Sequence, residues 1–181
     1  MPLPNENFAR VSTLIQQGRL LPMTGTPSNA TNTLQRIIVD RPLIVDVPYE
    51  FFTGSELVFD RRSEPNPPEP LVEVQATLTL RGSHLHGCEE MWDGIFVRDG
   101  AALLAYNNCI EDGRRAIRLL DGARYELVQN SFQRNFSAIF GGNPDPNSTT
   151  GTNLWEIGQG IIGNNISGLN PLLENTGGAT H

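Results

Sequence analysis

Glu89, Glu90, Asp93, Glu111 and Asp112 gather acidic side chains in the middle of the chain, with His84, His86, Arg114 and Arg115 close by. Two chemistries use such a set. Carboxylates from neighbouring segments can hold a divalent cation while an arginine sits beside a proton to be abstracted, as a polysaccharide lyase requires. Two carboxyl groups about 5–9.5 Å apart can instead act on a glycosidic bond as acid and base or nucleophile. Trp92 adds an indole face suited to a sugar ring. The candidate ligand-binding residues are therefore Trp92, Glu89, Glu90, Asp93, Glu111, Asp112 and Arg114, and no residue is assigned a catalytic role. Each of them also reads as solvated surface, and Met91 with Trp92 also reads as a small core beneath a bulge. There is no phosphate-cradling glycine loop and no nucleophile-elbow motif.

The elements that must position these residues are legible from an internal repeat. Gly100 to Asp121 overlays the stretch from Gly122 at a spacing of 22 residues, with Asn108 on Asn130, Ile110 on Phe132, Ala116 on Ala138 and Ile117 on Ile139. Gln75 to Asp99 fits the same template with three extra residues, placing Leu78 on Leu103, Leu80 on Ala105, Ser83 on Asn108, Leu85 on Ile110 and Ile95 on Ile117. Each copy holds short apolar alternations of strand period and no helix-length stripe. A unit of this size cannot close a sheet on itself. It can stack, each strand pairing in parallel with its equivalent about 4.8 Å along an axis. The fold class expected is all-β, a parallel β-helix of five or six coils with a short N-terminal capping helix.

Stacking predicts inward columns of Leu78, Leu103 and Tyr125; Leu80, Ala105 and Leu127; Leu85, Ile110 and Phe132; and Ile95, Ile117 and Ile139. The polar column Ser83, Asn108, Asn130 predicts a ladder of side-chain amides at a corner. Corners are expected at Asp99–Gly100 and Asp121–Gly122, at Gly113 and Asn135, and at Gly87, all types that tolerate positive φ. Gly94 lets the chain re-enter a strand after the bulge. In the opposite direction along the chain, Ile37 to Val47, Leu57 to Phe59, Val72 and Val74 have strand character, while Ser63 to Pro70, with four prolines in eight residues, projects as a loop. Ile161, Asn164 and Ile166 match Leu127, Asn130 and Phe132 if a surface loop adds twelve residues to the period.

Residues 1–30 form a cap segment, 31–174 the β-helix and 175–181 a polar tail. Phe8, Val11, Leu14 and Ile15 have helical spacing, with Asn5 or Asn7 as N-cap and Gly18 as stop. No comparable cap follows the last coil, so self-association through an uncovered C-terminal coil is a third idea beside the two functional readings given below.

A net charge of −7, with every basic residue an arginine and no basic cluster beyond pairs such as Arg61–Arg62, disfavours nucleic acid as a partner. No apolar run of about 18 residues offers membrane insertion. Cys88 and Cys109 fall in adjacent coils but not in one column, so a disulfide and two separate thiols both remain open. Cys88 with His84 and His86 offers zinc-type ligands, yet local spacing places no fourth, and no metal or cofactor is expected.

The run Leu85-His86-Gly87-Cys88-Glu89-Glu90-Met91-Trp92-Asp93-Gly94-Ile95, then Asp99-Gly100-Ala101, Ile110-Glu111-Asp112 and Ala116-Ile117, resembles right-handed parallel β-helix domains of secreted and cell-surface proteins, exported by the type IX route, of Bacteroidetes-type bacteria. The resemblance covers about residues 37–173. It implies an extracellular or cell-surface location, a right-handed coil (also the general preference for parallel connections), and an excised fragment of a longer protein, since neither signal peptide nor sorting domain is present. Two functions follow. The first is a non-catalytic stalk or adhesive surface whose partner is an extracellular glycan or a surface protein. The alternative is a carbohydrate-active β-helix, a polysaccharide lyase or glycoside hydrolase, with its groove near Trp92, Glu111 and Arg114.

Overall fold

The computed structural model describes residues 7–20, 36–61, 67–120, 122–141, 161–162 and 164–167. The chain enters through β1 (Ala9–Arg10) and a short helix, α1 (Val11–Gln16), then β2 (Arg36–Val39) and β3 (Leu43–Val45). Four complete turns follow: β4 (Tyr49–Phe51), β5 (Glu56–Phe59) and β6 (Val72–Val74); β7 (Thr77–Arg81), β8 (His84–Gly87) and β9 (Ile95–Val97); β10 (Ala102–Tyr106), β11 (Cys109–Glu111) and β12 (Arg115–Leu119); β13 (Arg124–Val128), β14 (Ser131–Gln133) and β15 (Ser137–Gly141). A partial turn, β16 (Ile161–Ile162) and β17 (Asn165–Ser167), closes the series.

Strands of equivalent place in each turn stack into three parallel sheets: sheet 1 in the order β1-β3-β6-β9-β12-β15, sheet 2 in the order β16-β13-β10-β7-β4, and sheet 3 in the order β17-β14-β11-β8-β5-β2. This is a parallel β-solenoid. Four complete turns flanked by partial ones stand where five or six coils were expected, because the outer strands do not complete a full circuit among the described residues.

The register matches the repeat residue for residue. Leu103 pairs with Leu78 on one side and Tyr125 on the other, Ile110 with Leu85 and Phe132, and Ile117 with Ile95 and Ile139. Leu127 pairs with Ile161 and Phe132 with Ile166, as the offset with a longer loop requires. Inward columns merge into one continuous core from Val11 to Phe132. Volume balances across it: Ala105, small among leucines, shares a core with Phe51, Phe59 and Trp92.

At the corner between sheets 2 and 3 the predicted ladder is present. Asn108 Nδ2 donates to Asn130 Oδ1 at 2.8 Å, Asn130 Nδ2 donates to Asn164 Oδ1 at 3.0 Å, and Asn108 Oδ1 accepts the Ser83 N–H at 2.9 Å. Each amide also donates to a carbonyl one turn back, of Leu80, Ala105 or Leu127. The residue just before each rung, Gly82, Asn107 and Gln129, is left-handed. Gly54, before the buried Ser55, extends the pattern by a turn that the repeat did not reveal.

Three expectations need correction. At the corner between sheets 3 and 1 the left-handed residues are Asp112 (φ 60°) and Arg134 (φ 52°), one place before Gly113 and Asn135. The reason is that Asn135 is engaged as a bracket, its Oδ1 accepting from Gly113 N–H at 2.7 Å and its Nδ2 donating to Ile110 O at 2.8 Å. Gly87 is the last residue of β8 and no left-handed corner.

The N-terminal helix begins later than predicted. Ala9 and Arg10 are drawn into sheet 1 beside β3 and so cover its edge, which leaves Arg10 at the N-cap with no side-chain cap and Phe8 exposed. Val11 and Leu14 still face the core, and Gly18 (φ 67°) ends the helix as expected. Ser12 ties it down through its N–H and hydroxyl to Asp46.

Both cysteines are free, because register sets Cys109 opposite His84 while Cys88 lies past the end of β8. Among the described residues no helix is long and apolar enough to cross a membrane. The expected corner residue Asp121, the first half of the Pro-rich loop, the twelve-residue insertion and the C-terminal tail lie outside the described residues.

Candidate functional site

Every strand presents alternate residues outward, so each sheet has an outer face whose columns run along the solenoid axis. Two of these faces and one corner carry the polar residues of interest.

The corner holds Glu111 and Asp112 at the end of β11. Arg134, one turn further on, reaches back to both: Nε to Asp112 Oδ1 at 2.7 Å, and Nη2 to Asp112 Oδ2 at 3.0 Å and to Glu111 Oε2 at 2.6 Å. Asp112 is 2% exposed and Glu111 9%. Burial by itself pushes the Glu111 carboxyl up, but hydrogen bonds from Cys109, Arg134 and His84 outweigh it and hold the group below the usual carboxylate range. Hydrogen bonding to Asp112 and Glu111 raises the Arg134 pKa in turn. The strongest acidic pair in the sequence is thus a closed ion triad. A carboxylate bonded bidentately to arginine is poorly placed to take or give a proton at neutral pH.

Trp92 has no free face. It is 0% exposed, its ring stacks on Phe59 at 3.7 Å between centroids and 6° between planes, and its Nε1–H donates to Glu111 O at 2.7 Å. The bulge Met91–Trp92 folds inward because Trp92 bridges to Gly113 and places its indole over the core. As a sugar platform Trp92 is excluded by burial; the packing reading is the one realised.

Of the remaining candidates, Glu89 is exposed and Asp93 half-buried, and no described hydrogen bond or ion pair joins either side chain to the triad. Glu90 pairs with Arg61 at 3.7 Å, and Glu69 links Arg61 at 3.4 Å to Arg114 at 3.7 Å. Four of the seven residues thus fall into two separate salt-bridged groups, Glu111 with Asp112 and Glu90 with Arg114, Glu89 and Asp93 stand apart from both, and Trp92 is sealed beneath.

On the outer face of sheet 3, His84 and His86 project from β8 with ring centroids 4.5 Å apart. Register brings Glu56 of β5 to one side of His84 and Cys109 of β11 to the other. His86 Nε2 lies 3.0 Å from Glu56 Oε1, and His84 Nε2 lies 3.4 Å from Glu111 Oε2. The Cys109 thiol donates to Glu111 Oε1 at 3.2 Å. Sequence spacing offered Cys88 to the histidines; the neighbouring strands supply Glu56, Cys109 and Glu111 instead. Glu56 was invisible to repeat analysis because the Pro-rich loop disturbs the spacing of its turn.

Sheet 1 carries a feature that sequence reading missed. Its outer column runs Glu73, Phe96, Arg118, Phe140 by register. The Arg118 guanidinium lies 4.7 Å from the Phe96 centroid and 6.0 Å from that of Phe140, while Arg98 covers Phe96 at 4.7 Å and Arg115 covers Phe140 at 5.4 Å. Arg98 is paired with Glu73, but among the described residues neither Arg115 nor Arg118 has an ion-pair partner, and Arg118 Nε has no hydrogen bond. Burial, and then the Arg115 charge, lowers the Arg118 pKa. Phe136, at the corner just before β15, is 71% exposed. The signal was available, since Phe96, Arg118 and Phe140 are spaced at the 22-residue period.

Comparison with protein families, with curated proteins and with solved structures finds no match to this chain. The solenoid is established by the geometry above, and function has to be argued from its faces.

Proposed function

We propose that this chain is a non-catalytic module of a secreted or cell-surface protein, and that the outer face of sheet 1 is its adhesive surface for an acidic extracellular glycan. The single observation that carries the reading is the alternating strip of Phe96, Arg118, Phe140, Arg98 and Arg115. Guanidiniums grip carboxylate or sulfate groups through paired hydrogen bonds, and exposed phenyl rings pack on the apolar faces of sugar rings. Arg115 and Arg118 crowd each other with no carboxylate in salt-bridge contact among the described residues, and Asp93 offsets only part of that repulsion, so an anionic ligand relieves the rest. This positive strip sits on a chain of net charge −7, so it marks a local partner and not a general affinity for polyanions. Export rests on the resemblance around Met91–Ile95 alone, and protease accessibility of the protein on whole cells tests it.

The test of adhesion is retention of the purified chain on an immobilised uronic-acid polysaccharide and on its carboxyl-reduced, neutral form. Binding that needs the acid groups, falls on added salt and drops at least about tenfold in Arg118→Ala, the size of losing one charge-assisted contact, supports the reading. Equal retention on both matrices, or none, refutes it. New reducing or unsaturated ends released from any polysaccharide would favour the carbohydrate-active alternative.

A further inference from the structure

We propose that Glu56, His84 and His86 on the outer face of sheet 3 form a binding site for one divalent transition-metal ion of the zinc class, with an open position for water or an exogenous ligand. Alternation in β8 puts both imidazoles on one face, and the parallel neighbour β5 brings the carboxylate to them. One ligand atom from each of the three residues lies within 4.8 Å of the others. Ligands held at about 2.0–2.1 Å in a tetrahedral shell are about 3.3 Å apart, so side-chain adjustments of an ångström or so complete the site.

The local hydrogen bonds prepare it. His86 Nδ1 lies 3.0 Å from Gly87 O, a bond that fixes a proton on Nδ1 and turns Nε2 and its lone pair toward Glu56 Oε1 at 3.0 Å. In the neutral imidazole with its proton on Nδ1, two acceptors face each other, and a cation between them satisfies both. A carbonyl partner on the far nitrogen is the usual support for a metal-binding imidazole. Glu56 is held in place through its other oxygen, which accepts from Arg36 Nε at 2.9 Å. His84 Nε2 is turned toward Glu111 Oε2 at 3.4 Å, a long contact that an ion can displace. Two imidazoles and one carboxylate are borderline donors that select zinc, cobalt, nickel or copper over calcium or magnesium.

A second triad, His84, Cys109 and Glu111, has suitable atom types and the same proximity. It is the weaker candidate because Glu111 is already bonded to Arg134 at 2.6 Å and to the Cys109 thiol. Exposure also favours the first triad, since the side chains of His84, His86 and Glu56 are 45%, 21% and 36% exposed and open to an arriving ion.

The experiment is calorimetric titration of the full, chelator-treated chain with Zn²⁺ alone, with Ca²⁺ as comparator, repeated on Glu56→Gln, His84→Ala, His86→Ala, Cys88→Ala and Cys109→Ser. Far-UV circular dichroism checks each fold, and Glu56→Gln, which preserves shape, decides the case if a histidine variant fails to fold. The result expected is one Zn²⁺ per chain and little heat from Ca²⁺. Affinity should survive in Cys88→Ala and Cys109→Ser and fall by more than about 100-fold in the other three variants, beyond the cost of an outer-shell loss. Absence of Zn²⁺ binding, or affinity unchanged in Glu56→Gln and His86→Ala, overturns the proposal. A thiolate charge-transfer band with Co²⁺ that disappears in Cys109→Ser moves the ion to the second triad and overturns it equally.

Discussion

Replacing Asn130 by alanine removes the central rung of the amide ladder. Asn130 is 1% exposed. Its Oδ1 accepts from Asn108 N–H at 3.0 Å and from Asn108 Nδ2 at 2.8 Å, and its Nδ2 donates to Ala105 O at 2.9 Å and to Asn164 Oδ1 at 3.0 Å. Asn108 Nδ2 retains Leu80 O at 3.2 Å, and the half-buried Asn164 can turn to water. The Asn108 N–H is left without a partner, while the Ala105 carbonyl loses its second donor and keeps the ladder bond that the register gives it from Val128. At about 1–3 kcal/mol for the orphaned N–H and about 1 kcal/mol for the lost second bond, the cost is about 2–4 kcal/mol, a large share of a total of about 5–15 kcal/mol. For a chain of this size that lowers Tm by about 5–15 °C, read by far-UV circular dichroism melts. Asn130→Asp separates hydrogen bonding from volume. The new carboxylate would face two acceptors, Ala105 O and Asn164 Oδ1, so burial and those acceptors raise its folded-state pKa above the unfolded value of about 3.9. An acid with a raised folded pKa destabilises above that pKa, and the deficit vanishes as pH falls through it toward the unfolded value. The Asn130→Asp deficit should therefore shrink on acidification while the Asn130→Ala deficit, each measured against wild type at the same pH, stays flat. A loss below about 1 kcal/mol in Asn130→Ala, the worth of one ordinary hydrogen bond, or an Asn130→Asp deficit indifferent to pH, would refute the reasoning.

Burial, and then the hydrogen bond to Glu111, push the Cys109 thiol up to about 12, whereas Cys88 is exposed; at pH 8 a thiol reagent should label Cys88 rapidly and Cys109 only after unfolding, and two fast thiols would contradict the placement. A Cβ on Gly94 would stand 1.7 Å from Arg115 O at φ +108°, while one on Gly100 meets nothing within 4 Å. Gly94→Ala should accordingly lose far more than the left-handed penalty of about 1–2 kcal/mol expected of Gly100→Ala, and equal melting losses would refute the close approach. Trp92→Ala should cost about 3–5 kcal/mol in chemical denaturation, with Trp92→Phe milder because a ring still stacks on Phe59; a neutral Trp92→Ala would place the indole outside the core. Gln129, at φ 54°, should gain up to about 1 kcal/mol on replacement by glycine, and a lower melting temperature would count against strain at that corner.

The chain itself determined its architecture because a solenoid is a one-dimensional problem. Each turn contacts its neighbours, so the spacing that aligns Leu103 with Leu78 and Tyr125 in the sequence is the spacing that pairs them in the sheet. Inward columns and the asparagine ladder were legible for the same reason: buried rungs must match from turn to turn. The helix start was not, because the edge of β3 recruits Ala9 and Arg10 into a strand, a tertiary demand that overrides local capping signals. The left-handed Arg134 was hidden because arginine does not announce such a corner, and Asp112, a type that does, stands beside a glycine that drew the turn to itself.

The faces are where tertiary structure decided. Glu111 and Asp112 looked like a free acidic pair until the turn pitch carried Arg134 back onto both. Trp92 read first as a small core beneath a bulge and second as a sugar platform, and packing on Phe59, from a turn lengthened by the Pro-rich loop, made it core. Glu56 joined His84 and His86 across that same irregular turn. Where turns keep one length, sequence spacing is a spatial coordinate. Where a loop changes that length, only the folded chain shows which side chains meet.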